Sequence, residues 1–130
     1  MDAILPSLEG CDRKKCAELN DKFRQEGPQL NKDAIILTHA LRSHMTENAN
    51  GFTFARRCDE LNRLIAGYDF SLSWDNDPHG ERDMGFLDFM GERVYFKIDY
   101  YDLDLKYRSD NPADPTITSR VMTIMLASDY

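Results

Sequence analysis

The chain has 130 residues, 42% of them apolar, and a formal charge of −7. That length suits one hydrophobic core rather than two, and the apolar and aromatic content excludes a disordered chain. No apolar run approaches the roughly 20 residues needed to cross a bilayer, and Met1-Asp2-Ala3-Ile4-Leu5-Pro6 lacks a secretory signal pattern, so a cytoplasmic protein with no membrane partner is expected.

Three cysteines, an odd number, argue for reduced thiols rather than a disulfide framework. The charge is regional. Residues 69–114 hold 12 Asp/Glu against 5 Lys/Arg, while the remainder holds 11 of each. A field of that sign repels a phosphate backbone, so direct nucleic-acid binding is not expected. The basic clusters Arg13-Lys14-Lys15 and Arg56-Arg57 are short and read as solvated surface.

In chain order, Asp12, Cys16, Leu19 and Phe23 at helical spacing predict a first helix from about Cys11 to Gln25, ended by Gly27-Pro28. Ala34-Ile35-Ile36-Leu37-Thr38 predicts a buried strand, and residues 39–51 are ambiguous with a loop at Asn48–Gly51. A second helix is expected from Thr53 as cap, turning Cys58, Leu61, Leu64, Ile65 and Tyr68 inward and stopping near Gly67. The period then becomes alternating, at Phe70, Leu72 and Trp74 and most clearly at Val94, Phe96, Ile98 and Tyr100, with Arg93, Tyr95, Lys97, Asp99 and Tyr101 on the opposite face. Met90-Gly91-Glu92 is the expected turn into that strand from Phe86–Phe89.

Asp114 as cap, Pro115 in the first turn, and Ile117, Val121, Ile124 and Met125 predict a terminal helix, although the Thr and Ile content leaves a strand open. The fold expected is a single α+β domain over residues 1–130. It has a small antiparallel sheet packed by about three helices and a helical C-terminal segment.

Asn76-Asp77-Pro78-His79-Gly80-Glu81, Lys97-Ile98-Asp99-Tyr100-Tyr101-Asp102, Pro112-Ala113-Asp114-Pro115, Arg120-Val121 and Thr123-Ile124-Met125-Leu126-Ala127 follow one another in an order that resembles a bacterial family. It is the domain-of-unknown-function family numbered thirty-seven sixty-eight. The likeness is specific from Asn76 to Tyr130 and weaker over Leu19-Asn20-Asp21. The resemblance implies a small bacterial protein carried on plasmids and other mobile elements. One departure is Arg82, where the family pattern usually has His, with Met84 where it has an aromatic; the missing histidine weakens a metal-site reading.

The densest polar chemistry is Asp75-Asn76-Asp77-Pro78-His79-Gly80-Glu81-Arg82-Asp83. Asp75, Asp77, His79 and Asp83 are weak metal candidates, because position twelve of a calcium loop would be Phe86 rather than Glu. His79 with Asp77, Glu81 and Asp99 could serve a small metal-dependent hydrolase, whereas a plain polar turn needs only the Asp, Pro and Gly residues. Cys11, Cys16, His39 and His44 have the wrong spacing for a zinc finger. There is no Gly-rich phosphate loop, and no cofactor is expected.

Tyr95, Asp99, Tyr101, Asp102 and Asp104 are the candidate binding residues. Carboxylates on a strand recur at about 6.6 Å, comparable to phosphate spacing, so the strand could act as a nucleic-acid mimic. The favoured function is a non-enzymatic accessory or inhibitor protein of a mobile element, binding a protein partner through this acidic, aromatic surface. A nucleic-acid-binding defence complex, as for an anti-CRISPR or anti-restriction antagonist, is consistent with that setting. The hydrolase, and a structural subunit of a larger assembly, are the alternatives; oligomeric state is not legible.

Overall fold

Helix α1 covers Gly10–Glu26, one residue longer at each end than its periodicity predicts. Its inward face carries Cys16, Asn20, Phe23 and Arg24 at helical spacing, and Gly27, at φ 90°, closes it by donating to the Phe23 carbonyl. The computed structural model describes residues 10–72, 77 and 80–130, with the side chains of Cys11 and Leu72 outside that description. Strand β1 (Ala34–Leu37) follows. Thr38 then leaves the strand to accept from the Leu41 N–H, and so starts α2 (His39–Thr46) in the stretch whose sequence was ambiguous.

α3 spans Gly51–Ala66, and its cap is Asn50, not Thr53. Asn50 Oδ1 accepts the Thr53 N–H at 2.8 Å. Gly67 ends the helix as expected. The alternation at Phe70 and Leu72 does not make a strand, for Phe70–Leu72 is a short 3-10 turn set by Asp69, whose carboxylate accepts the Ser71 N–H at 2.9 Å and hydroxyl at 2.6 Å. Burial of aromatic rings explains the apolar residue there: Tyr68 and Phe70 both meet Phe96 edge-on. Trp74 lies outside the described residues.

β2 (Met84–Phe89) and β3 (Glu92–Tyr101) form the predicted hairpin, with Met90 and Gly91 both at positive φ in the two-residue turn. β4 covers Ser119–Leu126, so the expected terminal helix is a strand followed by a 3-10 turn at Ala127–Asp129. The sheet order is β1-β4-β3-β2. It is mixed rather than antiparallel, since β1 runs parallel to β4. Asp114 does use its carboxylate as a cap, but on a single turn at the Thr116 N–H, not on a helix.

All three helices lie on one face of the sheet. Cys16 and Phe23 from α1, Leu41 and Met45 from α2, and Leu61 and Ile65 from α3 pack with Val94, Phe96, Ile98, Tyr100, Met122 and Ile124. Among the described residues, no helix is long and apolar enough to cross a membrane.

Candidate functional site

The segment before β2 is wound tightly by its own carboxylate. Asp77 Oδ1 accepts the Arg82 N–H at 2.8 Å, its carbonyl accepts from Gly80, and Gly80 and Arg82 both take positive φ. The winding throws Glu81 and Arg82 to opposite sides. Arg82 clamps Asp21 of α1 through Nε at 2.9 Å and Nη2 at 2.7 Å, and Arg24 pairs with the same carboxylate. Asp21 thereby holds the Arg82 guanidinium firmly in its charged form, while burial weakens the hold of Arg24 on its proton.

Glu81 turns toward the core. Its Oε1 accepts the Tyr100 hydroxyl at 2.9 Å, and its carbonyl accepts Asn20 Nδ2 at 3.0 Å. Asn20, fully buried, also donates to the Tyr100 hydroxyl at 2.8 Å and accepts from Arg120. Burial pushes both the Tyr100 phenol and the Cys16 thiol up, so each stays neutral at physiological pH. Cys16, Asn20, Glu81, Tyr100 and Arg120 thus form one connected polar network beneath the sheet.

On its solvent side this network opens into a cleft of about 460 Å³ lined by Glu81, Asp83, Ile98, Asp99, Tyr100, Tyr101 and Arg108. Its lining residues include three carboxylates, two tyrosines and one arginine. Arg108 comes from a hairpin extension of β3, in which Asp102 donates to the Tyr107 carbonyl at 2.8 Å and Ser109 to the Tyr100 carbonyl at 3.1 Å. The tip of that extension exposes Leu103, Leu105 and Tyr107.

The predicted binding residues are divided by this geometry. Asp99 and Tyr101 meet in the cleft with Glu81. Tyr95 lies six residues back along β3, roughly 20 Å away, in an aromatic patch with Phe86 and Tyr130. Asp102 sits past the strand end, accepting the Lys106 N–H, and Asp104 is exposed in the turn. The carboxylate ladder at strand spacing therefore does not exist beyond Asp99. Asp99 itself pairs with Lys97, and Asp88 with Arg93, so the outward sheet face is largely charge-balanced.

Of the hydrolase set, Glu81 and Asp99 line the cleft, while Asp77 is engaged with the Arg82 backbone; His79 lies outside the described residues, as does the metal candidate Asp75. Among the described residues, no three His, Cys, Asp or Glu side chains group at metal-binding geometry. Cys16 reaches Glu81, Asn20 and Arg120, whereas His44 bonds the Met90 carbonyl, so these two residues, whose spacing already spoke against a zinc finger, do not converge. Sequence reading met Asn20, Asp21, Arg82 and Arg120 in the family comparison and gave them no site role. Arg120 carried a second signal, a lone charge in the apolar run Ser119–Leu126.

The fold and site define an α+β protein with an acidic cleft braced by a buried polar network. The sequence profile of the family described as protein of unknown function (DUF3768) matches residues 41–129, and the chain belongs to that family. No curated protein and no solved structure matches it. The separated motifs that carry the resemblance, Asn20-Asp21, Asp77 with Glu81, Tyr100, Pro112 and Arg120, are brought together in the network and the turn beside it.

Proposed function

We propose that this is a non-enzymatic accessory or inhibitor protein of a bacterial mobile element, and that it binds a protein partner by seating a basic side chain in the cleft. The observation that carries the reading is the composition of that cleft: Glu81, Asp83 and Asp99, the last shared with Lys97, line it with Arg108 and with Tyr101 as an aromatic wall. Such a wall favours Lys or Arg by charge and by ring contact. Next to it, the hairpin tip presents Leu103, Leu105 and Tyr107, an apolar anchor of the kind found at interface centres. A basic surface belongs to nucleic-acid-handling proteins, so a host-defence complex of that type is the partner this reading favours. The electrostatic attraction comes from the cleft rather than from a phosphate-spaced ladder.

The test is an NMR titration with an oligo-arginine peptide and an oligo-glutamate peptide of equal length. The cationic peptide alone is expected to shift the amides of Glu81, Asp83, Asp99, Tyr101 and Arg108. Asp83→Asn with Asp99→Asn should weaken it about fivefold. Shifts spread over the whole surface, or an unaltered affinity in the double variant, would remove the proposal.

A further inference from the structure

Arg120 is only 4% exposed, and its guanidinium is met entirely by neutral groups. Nε donates to Asn20 Oδ1 at 2.7 Å, and Nη2 donates to the Pro112 carbonyl at 2.7 Å and to Cys16 Sγ at 3.5 Å. Its Cζ lies 5.1 Å from the centroid of the Tyr100 ring. Among the described residues it forms no ion pair, and Nη1, which is not one of the buried unpartnered atoms, remains open to solvent. Arg24, the other buried arginine among the described residues, has Asp21. A buried unit charge with no carboxylate in direct contact is costly, and Glu81 is reached only through Cys16 and Tyr100, so a further anion close to Arg120 would lower that cost.

Arg120 forms part of the wall of a cavity of about 280 Å³, enclosed by the second half of α1, the turn leading to β1, and Pro115. Lys22 and Lys32 add two cations to that wall; Glu26 and Asp33 are its carboxylates. Asp33 is already spent on backbone, accepting the Arg120 N–H on Oδ1 and the Gln29 N–H on Oδ2, each at 3.0 Å. One cation remains in excess. Leu19, Phe23, Pro28 and Pro115 make the rest of the wall apolar.

We propose that this cavity binds a small organic monocarboxylate. Its carboxylate lies toward Arg120 and the two lysines, and its hydrocarbon body rests against Leu19, Phe23 and the prolines. A single excess cation matches a single negative charge, and an apolar wall has nothing to offer a strongly hydrated dianion such as phosphate. The volume is near the lower end for small-molecule sites, about the scale of hexanoate. The site is separate from the acidic cleft and does not depend on the partner-binding reading.

The experiment is an NMR titration of the intact chain with sodium hexanoate, with inorganic phosphate and hexan-1-ol as parallel arms at matched ionic strength. Saturable shifts are expected at the amides of Phe23, Gly27, Gln29, Lys32 and Arg120. Phosphate and hexan-1-ol should each bind about tenfold more weakly, since each supplies half of the recognition. Because Arg120 also holds the buried network, the variants are Lys22→Gln and Lys32→Gln, each expected to keep the folded spectrum and to weaken hexanoate about threefold to tenfold. The proposal is overturned by absence of saturation, by phosphate or the alcohol equalling hexanoate, or by lysine variants that bind as tightly as the parent chain.

Discussion

Asn20 shows how much can rest on one neutral side chain. Its amide is shared among Tyr100, Glu81 and Arg120, so Asn20→Leu would strand a buried guanidinium Nε and the Glu81 carbonyl and would leave the Tyr100 phenol with Glu81 alone. A loss of about 3–5 kcal/mol in urea unfolding is expected. The same network fixes an alkaline limit. The ordinary values of Cys16 and Tyr100, 9.0 and 10.0, are both raised by burial. Below pH 9.0 folded and unfolded chains hold these protons alike. As pH rises beyond it, the unfolded chain releases them first, so stability falls with rising pH. Urea midpoints taken from neutral pH upward should decline across this window, and Tyr100→Phe should flatten the decline. Leu105 is a contrary case: an apolar residue, 52% exposed, held at φ 60°. Leucine in the left-handed region is disfavoured by about 1 kcal/mol, so Leu105→Asn should raise stability by about 0.5–1 kcal/mol. A fall in the urea midpoint would show that Leu105 has a structural role instead.

At the scale of elements, legibility followed how many faces each one buries. The chain from Val94 to Tyr100 buries one face and wets the other, so its period of two was plain in the sequence. β4 is central, between β1 and β3, and is buried at Ser119–Met122, Ile124 and Met125 on both faces. Its alternation is erased, and Ile117, Val121, Ile124 and Met125 fell by accident at helical spacing. α2 was missed because its eight residues turn only Leu41 and Met45 fully inward. The site was less legible than the fold, since Asn20, Glu81, Tyr100 and Arg120 meet only through pairing of distant segments. One close approach makes this packing testable. A Cβ on Gly85 would lie 2.7 Å from the Tyr68 ring and 2.9 Å from Phe96, so Gly85→Ala should cost about 1–3 kcal/mol by urea unfolding. Adding Tyr68→Leu should recover part of that loss.

Over the whole molecule, the regional charge that stood out in the sequence is redistributed by pairing. Arg93 and Lys97 are spent on Asp88 and Asp99, while Arg82 is drawn away to Asp21, outside the acidic region. The excess negative charge is thus concentrated less on the flat sheet face than around the β3 extension, where Arg108 is the one cation among the described residues of the cleft wall. Arg108→Ala removes a repulsion that any incoming basic side chain must meet. If the cleft recognises charge, that variant should bind an oligo-arginine peptide about twofold to fivefold more tightly, the effect of one partly screened surface charge. The gain should vanish in about 1 M salt, where the Debye length shrinks to roughly 3 Å. Recognition by shape would give a different pattern, because removing a wall residue would lower affinity, and salt would change it little. Titrating both proteins at low and high salt separates the two; weaker binding by Arg108→Ala at low salt would contradict an electrostatic cleft.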